Sequence, residues 1–226
     1  MSPRTLRAPA APRRRAALVL AGALAACATA PPAPESLFEL EAFRWRGDAR
    51  GASEIVAINR WGDVRVRTSG RDELVVGAMI QRLGTRRDEL VVRVDERADA
   101  IVVEIVAAVA RPHGRVDLTL IVPEGKRLRA TTRDGLAEVK YRGDVDVRTR
   151  SGDVTIETAG HARARSDTGA IVAKLTRGDW RRQPSFASGR GDVTVWLPDD
   201  AELRPHAVSR RGAVRFVPYA RPTLGG

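Results

Sequence analysis

Residues 134–175 read DGLAEVKYRGDVDVRTRSGDVTIETAGHARARSDTGAIVAKL, and this stretch decides the fold. Glycines fall at Gly135, Gly143, Gly152, Gly160 and Gly169, spaced by 8 or 9 residues. Two and four residues after each, the side chain is apolar: Ala137 and Val139, Val145 and Val147, Val154 and Ile156, Ala162 and Ala164, Ile171 and Ala173. The same rule holds outside the stretch after Gly62, Gly114, Gly191 and Gly212. Glycine permits a φ > 0 corner that ends a strand. The Asp that often follows can hold the turn by bonding the local backbone. Every second side chain of the next strand then meets a common core. The rule fails after Gly178, where Trp180 is followed at the second site by Arg182, so 177–190 reads as a loop interrupting the array.

Such units cannot bury an apolar face alone, and stacked neighbours do so together. Pairs of units make a coil of about 17 residues. The expected class is all-β: a β-solenoid-like array or a flattened β-sandwich of short strand repeats. Period-two alternation extends upstream, as in Val64-Arg65-Val66-Arg67 and Val116 to Leu120. Ile101 to Val106 is a more continuous apolar run, fit for a strand covered on both faces. Arg86-Arg87-Asp88 and Glu96 to Asp99 read as hairpin turns. Small interior residues and ten aromatics in 226 residues imply a thin core. Trp45, Trp61, Trp180 and Trp196 are expected in core or end-cap packing.

The N-terminus reads differently. Five arginines in residues 1–15 precede an apolar run from Ala16 to Leu24, a basic region followed by a short hydrophobic one. The run is far short of the roughly 20 residues that span a bilayer. Next comes Leu24-Ala25-Ala26-Cys27, which resembles the bacterial lipoprotein signal: an aliphatic residue, two small residues and a cysteine. The resemblance implies cleavage of residues 1–26 and acylation of Cys27, the only cysteine. Ala28 in place of Asp resembles the outer-membrane sorting pattern. Residues 28–36 hold three prolines and read as part of a 27–36 tether. A single all-β domain over 37–220 and a 221–226 tail complete the expected organisation. Removing five arginines lowers the formal net charge from +11 to +6.

The segments Asn59-Arg60-Trp61-Gly62-Asp63-Val64, Thr149-Arg150-Ser151-Gly152-Asp153-Val154 and Gly191-Asp192-Val193-Thr194-Val195, with Val122-Pro123 ahead of Thr131-Thr132-Arg133-Asp134-Gly135, resemble a bacterial β-strand-repeat family. That family is labelled "putative adhesin", a domain of unknown function. The resemblance covers roughly 53–217. It implies an extracytoplasmic all-β protein with no established catalytic residues.

Four Arg-Gly-Asp triplets, at 46–48, 142–144, 177–179 and 190–192, invite a receptor-binding reading, but Gly-Asp is also the repeat's own turn. Basic residues five positions after glycines (Arg67, Lys140, Arg148, Arg165, Lys174) invite a binding row. Within 135–174, however, Glu138, Asp144, Asp146, Asp153 and Glu157 balance Lys140, Arg148, Arg163, Arg165 and Lys174, the mixed pattern of a solvated surface. Excess charge lies later: 175–226 holds nine arginines against five acids. Arg177, Arg181, Arg182, Arg190, Arg210 and Arg211 are therefore candidates for polyanion binding. His113, His161 and His206 follow no metal-ligand spacing. A solenoid polysaccharide lyase would draw on Asp144, Asp146 and Asp153 with Arg165, but their alternation with core valines reads as surface. The chain lacks the aromatic-plus-basic pattern of nucleic-acid binders. The expected protein is a lipid-anchored, non-enzymatic envelope scaffold without cofactor or metal. It would face the periplasm or surface and display loops 177–190 and 204–212 to a glycan or protein partner. The alternative is attachment to lipopolysaccharide or another anionic glycan through the C-terminal arginines.

Overall fold

The computed structural model describes residues 38–83 and 90–220, and these form seventeen strands and no helix. Leu24, Ala25, Ala26, Cys27, the tether, the turn at Arg86-Arg87-Asp88 and the 221–226 tail lie outside the described residues. The strands run β1 (Phe38–Asp48), β2 (Glu54–Asn59), β3 (Val64–Ser69), β4 (Glu73–Leu83), β5 (Leu90–Glu96), β6 (Ala100–Ala107), β7 (Gly114–Pro123), β8 (Arg127–Asp134) and β9 (Ala137–Tyr141). They continue as β10 (Val145–Ser151), β11 (Val154–Thr158), β12 (Ala162–Thr168), β13 (Ile171–Leu175), β14 (Ser185–Ser188), β15 (Val193–Pro198), β16 (His206–Ser209) and β17 (Val214–Tyr219).

From β8 onward, consecutive strands alternate between two sheets, so each pair completes one coil. Like strands of successive coils pair parallel. Leu128, Val145 and Ala162 stand in register seventeen residues apart, as do Ala137, Val154 and Ile171 on the other sheet. The step widens to 22 residues at Ile171↔Val193 and 21 at Val193↔Val214. The full orders are β1-β4-β7-β3-β9-β11-β13-β15-β17 and β16-β14-β12-β10-β8-β2-β6-β5. Both sheets are open and mixed. The architecture is a flattened sandwich whose later half, from β8 onward, winds like a solenoid.

The coil of β2 and β3 lies directly beside β8 and β9, although Val64 and its partner Ala137 are 73 residues apart. The intervening chain supplies β6 and β7 on the outer side of that coil. There the parallel order ends: β5 closes on β6, β4 on β7 and β1 on β4, all antiparallel. Arg97 N–H to Ala100 O, at 2.8 Å, closes the expected Glu96–Asp99 hairpin.

One core fills the space between the sheets, with Val66, Leu118, Leu120, Val139, Val147, Ile156 and Val195 essentially inaccessible. Burying each such aliphatic side chain contributes about 1.5–3 kcal/mol. The alanines Ala130, Ala164 and Ala173 let the sheets approach closely, as the low aromatic count foretold.

A column of glycines runs through one row of turns. A β-carbon on Gly135 would lie 2.2 Å from the carbonyl oxygen of Gly62; Gly152 meets Gly135, Gly169 meets Gly152, Gly191 meets Gly169 and Gly212 meets Gly191 in the same way. Positive φ is confined within this column to Gly62, Gly152, Gly169 and Gly191. Gly135 and Gly212 are required by close approach rather than by a φ > 0 corner, which corrects the turn argument. Gly143 and Gly160, stacked at the opposite row of turns, follow the same correction.

Three residues before each glycine of the first column stands a small polar residue: Asn59, Thr132, Thr149, Ser166, Ser188 and Ser209. The hydroxyls of Thr132, Ser166, Ser188 and Ser209 donate to the glycine carbonyls of the preceding coil at 2.8–3.2 Å. The turn aspartates also reach across coils, not along the local turn. Asp63, Asp144, Asp153 and Asp192 accept the backbone N–H of Leu136, His161, Ala170 and Ala213 at 2.7–2.9 Å.

Two loop expectations are corrected. Residues 185–188 form β14, with Phe186 wholly buried, so the loop within 177–190 is shorter than its sequence suggested. Residues 206–209 likewise form β16 inside the expected 204–212 loop. Trp180 is buried and Trp45 and Trp61 pack against the core, but Trp196 is 40% exposed on an outer face. It alternates with Val195 and so points away from the core.

Candidate polyanion-binding face

Alternate strands turn their outward residues to opposite sides of the molecule. On β8, β10 and β12 the outward positions carry Arg127, Arg129, Arg133, Arg148, Arg150, Arg163 and Arg165, against Asp146 and Asp167. Register sets Arg129, Asp146 and Arg163 in one row and Thr131, Arg148 and Arg165 in the next. Neighbouring strands lie about 4.8 Å apart, and same-face residues along a strand about 6.7 Å apart. The result is a flat lattice of guanidinium groups on the eight-stranded sheet.

Its ion pairs are loose and exposed. Arg129 lies 3.2 Å from Glu54, Arg133 3.4 Å from Asp134, Arg148 3.4 Å from Asp146 and Arg165 3.6 Å from Asp167. Such pairs contribute about 0–1 kcal/mol and yield easily to a better anion. Among the described residues no carboxylate lies within ion-pair distance of Arg127, Arg150 or Arg163. Two shallow hollows mark the ends of the strands. One, of about 140 Å³, lies among Arg127, Arg129, Arg163, His161 and Arg182, with Asp144 and Asp146 also in its wall. The other, of about 390 Å³, lies among Arg60, Arg133, Arg148, Arg150 and Arg165, with Asp167 the one acid in its wall.

The opposite, nine-stranded face is neutralised. Arg67 bonds Glu138 at 2.8 Å and Lys174 bonds Glu157 at 3.0 Å. The row Arg67, Lys140, Arg148, Arg165 and Lys174 is thereby split: Arg148 and Arg165 lie on one sheet, the others on its opposite. The charge count over 135–174 balanced because it set the turn aspartates Asp144 and Asp153 against the arginines of the eight-stranded face and left out Arg150. Sorting alternate 8–9 residue units before counting exposes the arginine lattice in the sequence.

The six C-terminal arginines do not form one patch. Arg177, Arg181 and Arg182 lie in the segment between β13 and β14, beside Asp144 and Gly160. Arg190, Arg210 and Arg211 lie at the opposite row of turns, next to the glycine column. Only Arg182, 3.5 Å from Asp144, reaches the edge of the lattice. Arg177 is held by Asp179, which raises its pKa, chiefly through their hydrogen bonds.

The Arg-Gly-Asp triplets at 142–144 and 190–192 are turns whose Asp144 and Asp192 already accept backbone N–H groups of the next coil. The triplet at 46–48 ends β1, where Arg50 bonds Asp48 and draws its carboxyl down to about 2. Asp144, Asp146 and Asp153 are not gathered with Arg165: Asp153 sits at the other row of turns, bonded to Ala170. His161 Nε2 lies 3.2 Å from the Gln183 carbonyl.

No known protein-family profile matches the chain, and no curated protein matches it. Solved structures of low similarity do. One is described as a putative cell adhesion protein from Clostridium sporogenes: 9% identity, 80% of this chain and 100% of that one covered, TM-score 0.43. A putative adhesin from Bacteroides fragilis shows 12% identity, 79% and 97% coverage, and TM-score 0.35.

Proposed function

We propose that this chain is a non-enzymatic scaffold of the bacterial cell envelope that binds an anionic glycan across the outer face of its eight-stranded sheet. Acyl chains on Cys27 and the tether would hold it at a membrane. The observation that carries the reading is the lattice of seven outward arginines on β8, β10 and β12. Guanidinium forks match phosphate and carboxylate geometry, and a flat repeating array suits an extended polymer better than a small molecule. This moves the expected anion site from the C-terminal arginines to the middle of the sheet.

The test uses Cys27→Ser protein, whose release from membranes also reports on the anchor. Lipopolysaccharide is titrated against it at several salt concentrations. Binding should weaken steeply with salt. Replacing Arg129, Arg150 and Arg163 with Gln should weaken it at least tenfold, while replacing Arg177, Arg181, Arg210 and Arg211 leaves it near the parent. Parent-like binding by the lattice variant would sink the assignment.

A further inference from the structure

The two ends of the coil stack are unlike. At the β1 and β5 end the edge strands are antiparallel, β1 pairing only β4 and β5 only β6 among the described residues. At the other end the edges are the parallel strands of the last coil, β17 pairing only β15 and β16 only β14 among the described residues, and the core beneath them is uncovered. Val214 and Phe216 share register and face with Val193 and Val195, which are fully buried, yet they are 39% and 42% exposed. The end therefore offers two strand edges with unpaired backbone groups and a slice of uncovered core.

Its charges are polarised. β17 starts beside the turn carrying Arg210 and Arg211. It ends beside the loop of Asp199, Asp200 and Glu202, which outnumber Arg204; Asp199 N–H donates to Tyr219 O at 3.2 Å. We propose that this end is a self-association surface, on which a second copy docks tail to tail. A two-fold axis crossing the strands lays β17 antiparallel on β17 of the second copy and β16 on β16. It sets Arg210 and Arg211 against the acidic loop at both margins. An axis along the strands would instead set arginines on arginines. Charge complementarity thus selects one closed, isologous dimer, with Val214 and Phe216 buried at its centre. The interface is about one coil across, at the small end for proteins, so the dimer is weak and dissociates in the micromolar range. Confinement to a membrane surface would raise the effective concentration.

Sedimentation equilibrium of the Cys27→Ser chain without glycan, from about 1 to about 200 µM, should show a reversible monomer–dimer equilibrium. Arg210→Glu with Arg211→Glu should weaken it at least tenfold, and so should Asp199→Lys with Glu202→Lys. An equimolar mixture of the two variants should restore the dimer, because each reversed margin then meets its complement. A parent monomeric throughout, reversed variants that still dimerise, or a mixture that stays monomeric would each overturn the proposal. Lattice variants such as Arg150→Gln should leave the equilibrium unchanged, so failure here is separable from failure of the glycan reading.

Discussion

The glycine column permits a graded test, because its two constraints occur separately elsewhere in the chain. Gly152 combines them. Its φ is +141°, and an added β-carbon would lie 2.1 Å from the Gly135 carbonyl oxygen. Ordinary contact begins near 3.4 Å, so the coils must part by about 1.3 Å on a spacing of about 4.8 Å. That disrupts Gly135 N–H to Ser151 O and Ala137 N–H to Asp153 O, both 3.0 Å. Each lost backbone bond costs about 1 kcal/mol and the backbone strain a further 1–2 kcal/mol. Gly152→Ala is therefore expected to destabilise by about 4 kcal/mol, lowering Tm by roughly 10 °C. Gly135→Ala meets the clash, 2.2 Å from Gly62 O, without positive φ, and should cost about 2 kcal/mol. Gly125→Ala has φ +78° with nothing near, and should cost about 1 kcal/mol. Gly70→Ala meets neither constraint and should be neutral or stabilise by about 0.5 kcal/mol. Urea unfolding followed by circular dichroism gives the order. If Gly152→Ala is no worse than Gly125→Ala, the close-approach argument is wrong.

Two further outcomes follow from buried polar groups. The Thr132 hydroxyl bonds Gly62 O at 3.0 Å while the buried Thr149 hydroxyl has no partner, so Thr132→Val should cost about 1 kcal/mol and Thr149→Val should be neutral or stabilising by denaturant titration. Burial holds the Tyr141 phenol up at about 12, with its O–H shared between the Pro123 and Lys126 carbonyls. Because the unfolded phenol ionises first, stability is fully present below about pH 10 and is lost between about pH 10 and 12, by roughly 2–3 kcal/mol. Tyr141→Phe should flatten that part of the stability–pH curve. An unchanged slope would refute the assignment.

Much of this fold is legible in the sequence because sterics leave little choice. A glycine that carries the next coil on its carbonyl tolerates no side chain, and strict alternation after it sets the inward face. β14 escaped because Pro184, not glycine, precedes Ser185-Phe186-Ala187-Ser188. Strand pairing was less legible: alternation marks Val64, Val116 and Ile101 as strand residues, but not that β7 runs parallel to β3 while β4 runs antiparallel to both it and β1. The arginine lattice was hidden for a geometric reason. Residues seventeen apart share a face, whereas those eight or nine apart lie on opposite ones. The hydroxyl column at Thr132, Thr149, Ser166, Ser188 and Ser209 was readable three residues before each glycine, but its use depends on coils lying in contact.

The placement of β2 and β3 beside β8 and β9 also fixes an order of assembly. Joining coils seventeen residues apart closes a short loop, whereas joining Val64 to Ala137 closes one of 73. By loop-closure entropy the second step costs about 1.3 kcal/mol more, and none of its contacts is gained until the long loop has closed. The later coils therefore set the template, and the strands made first on the ribosome dock last. Until they dock, the β8 and β9 edges stand open to solvent, and the antiparallel strands β1, β4 and β5 join the stack only at the end.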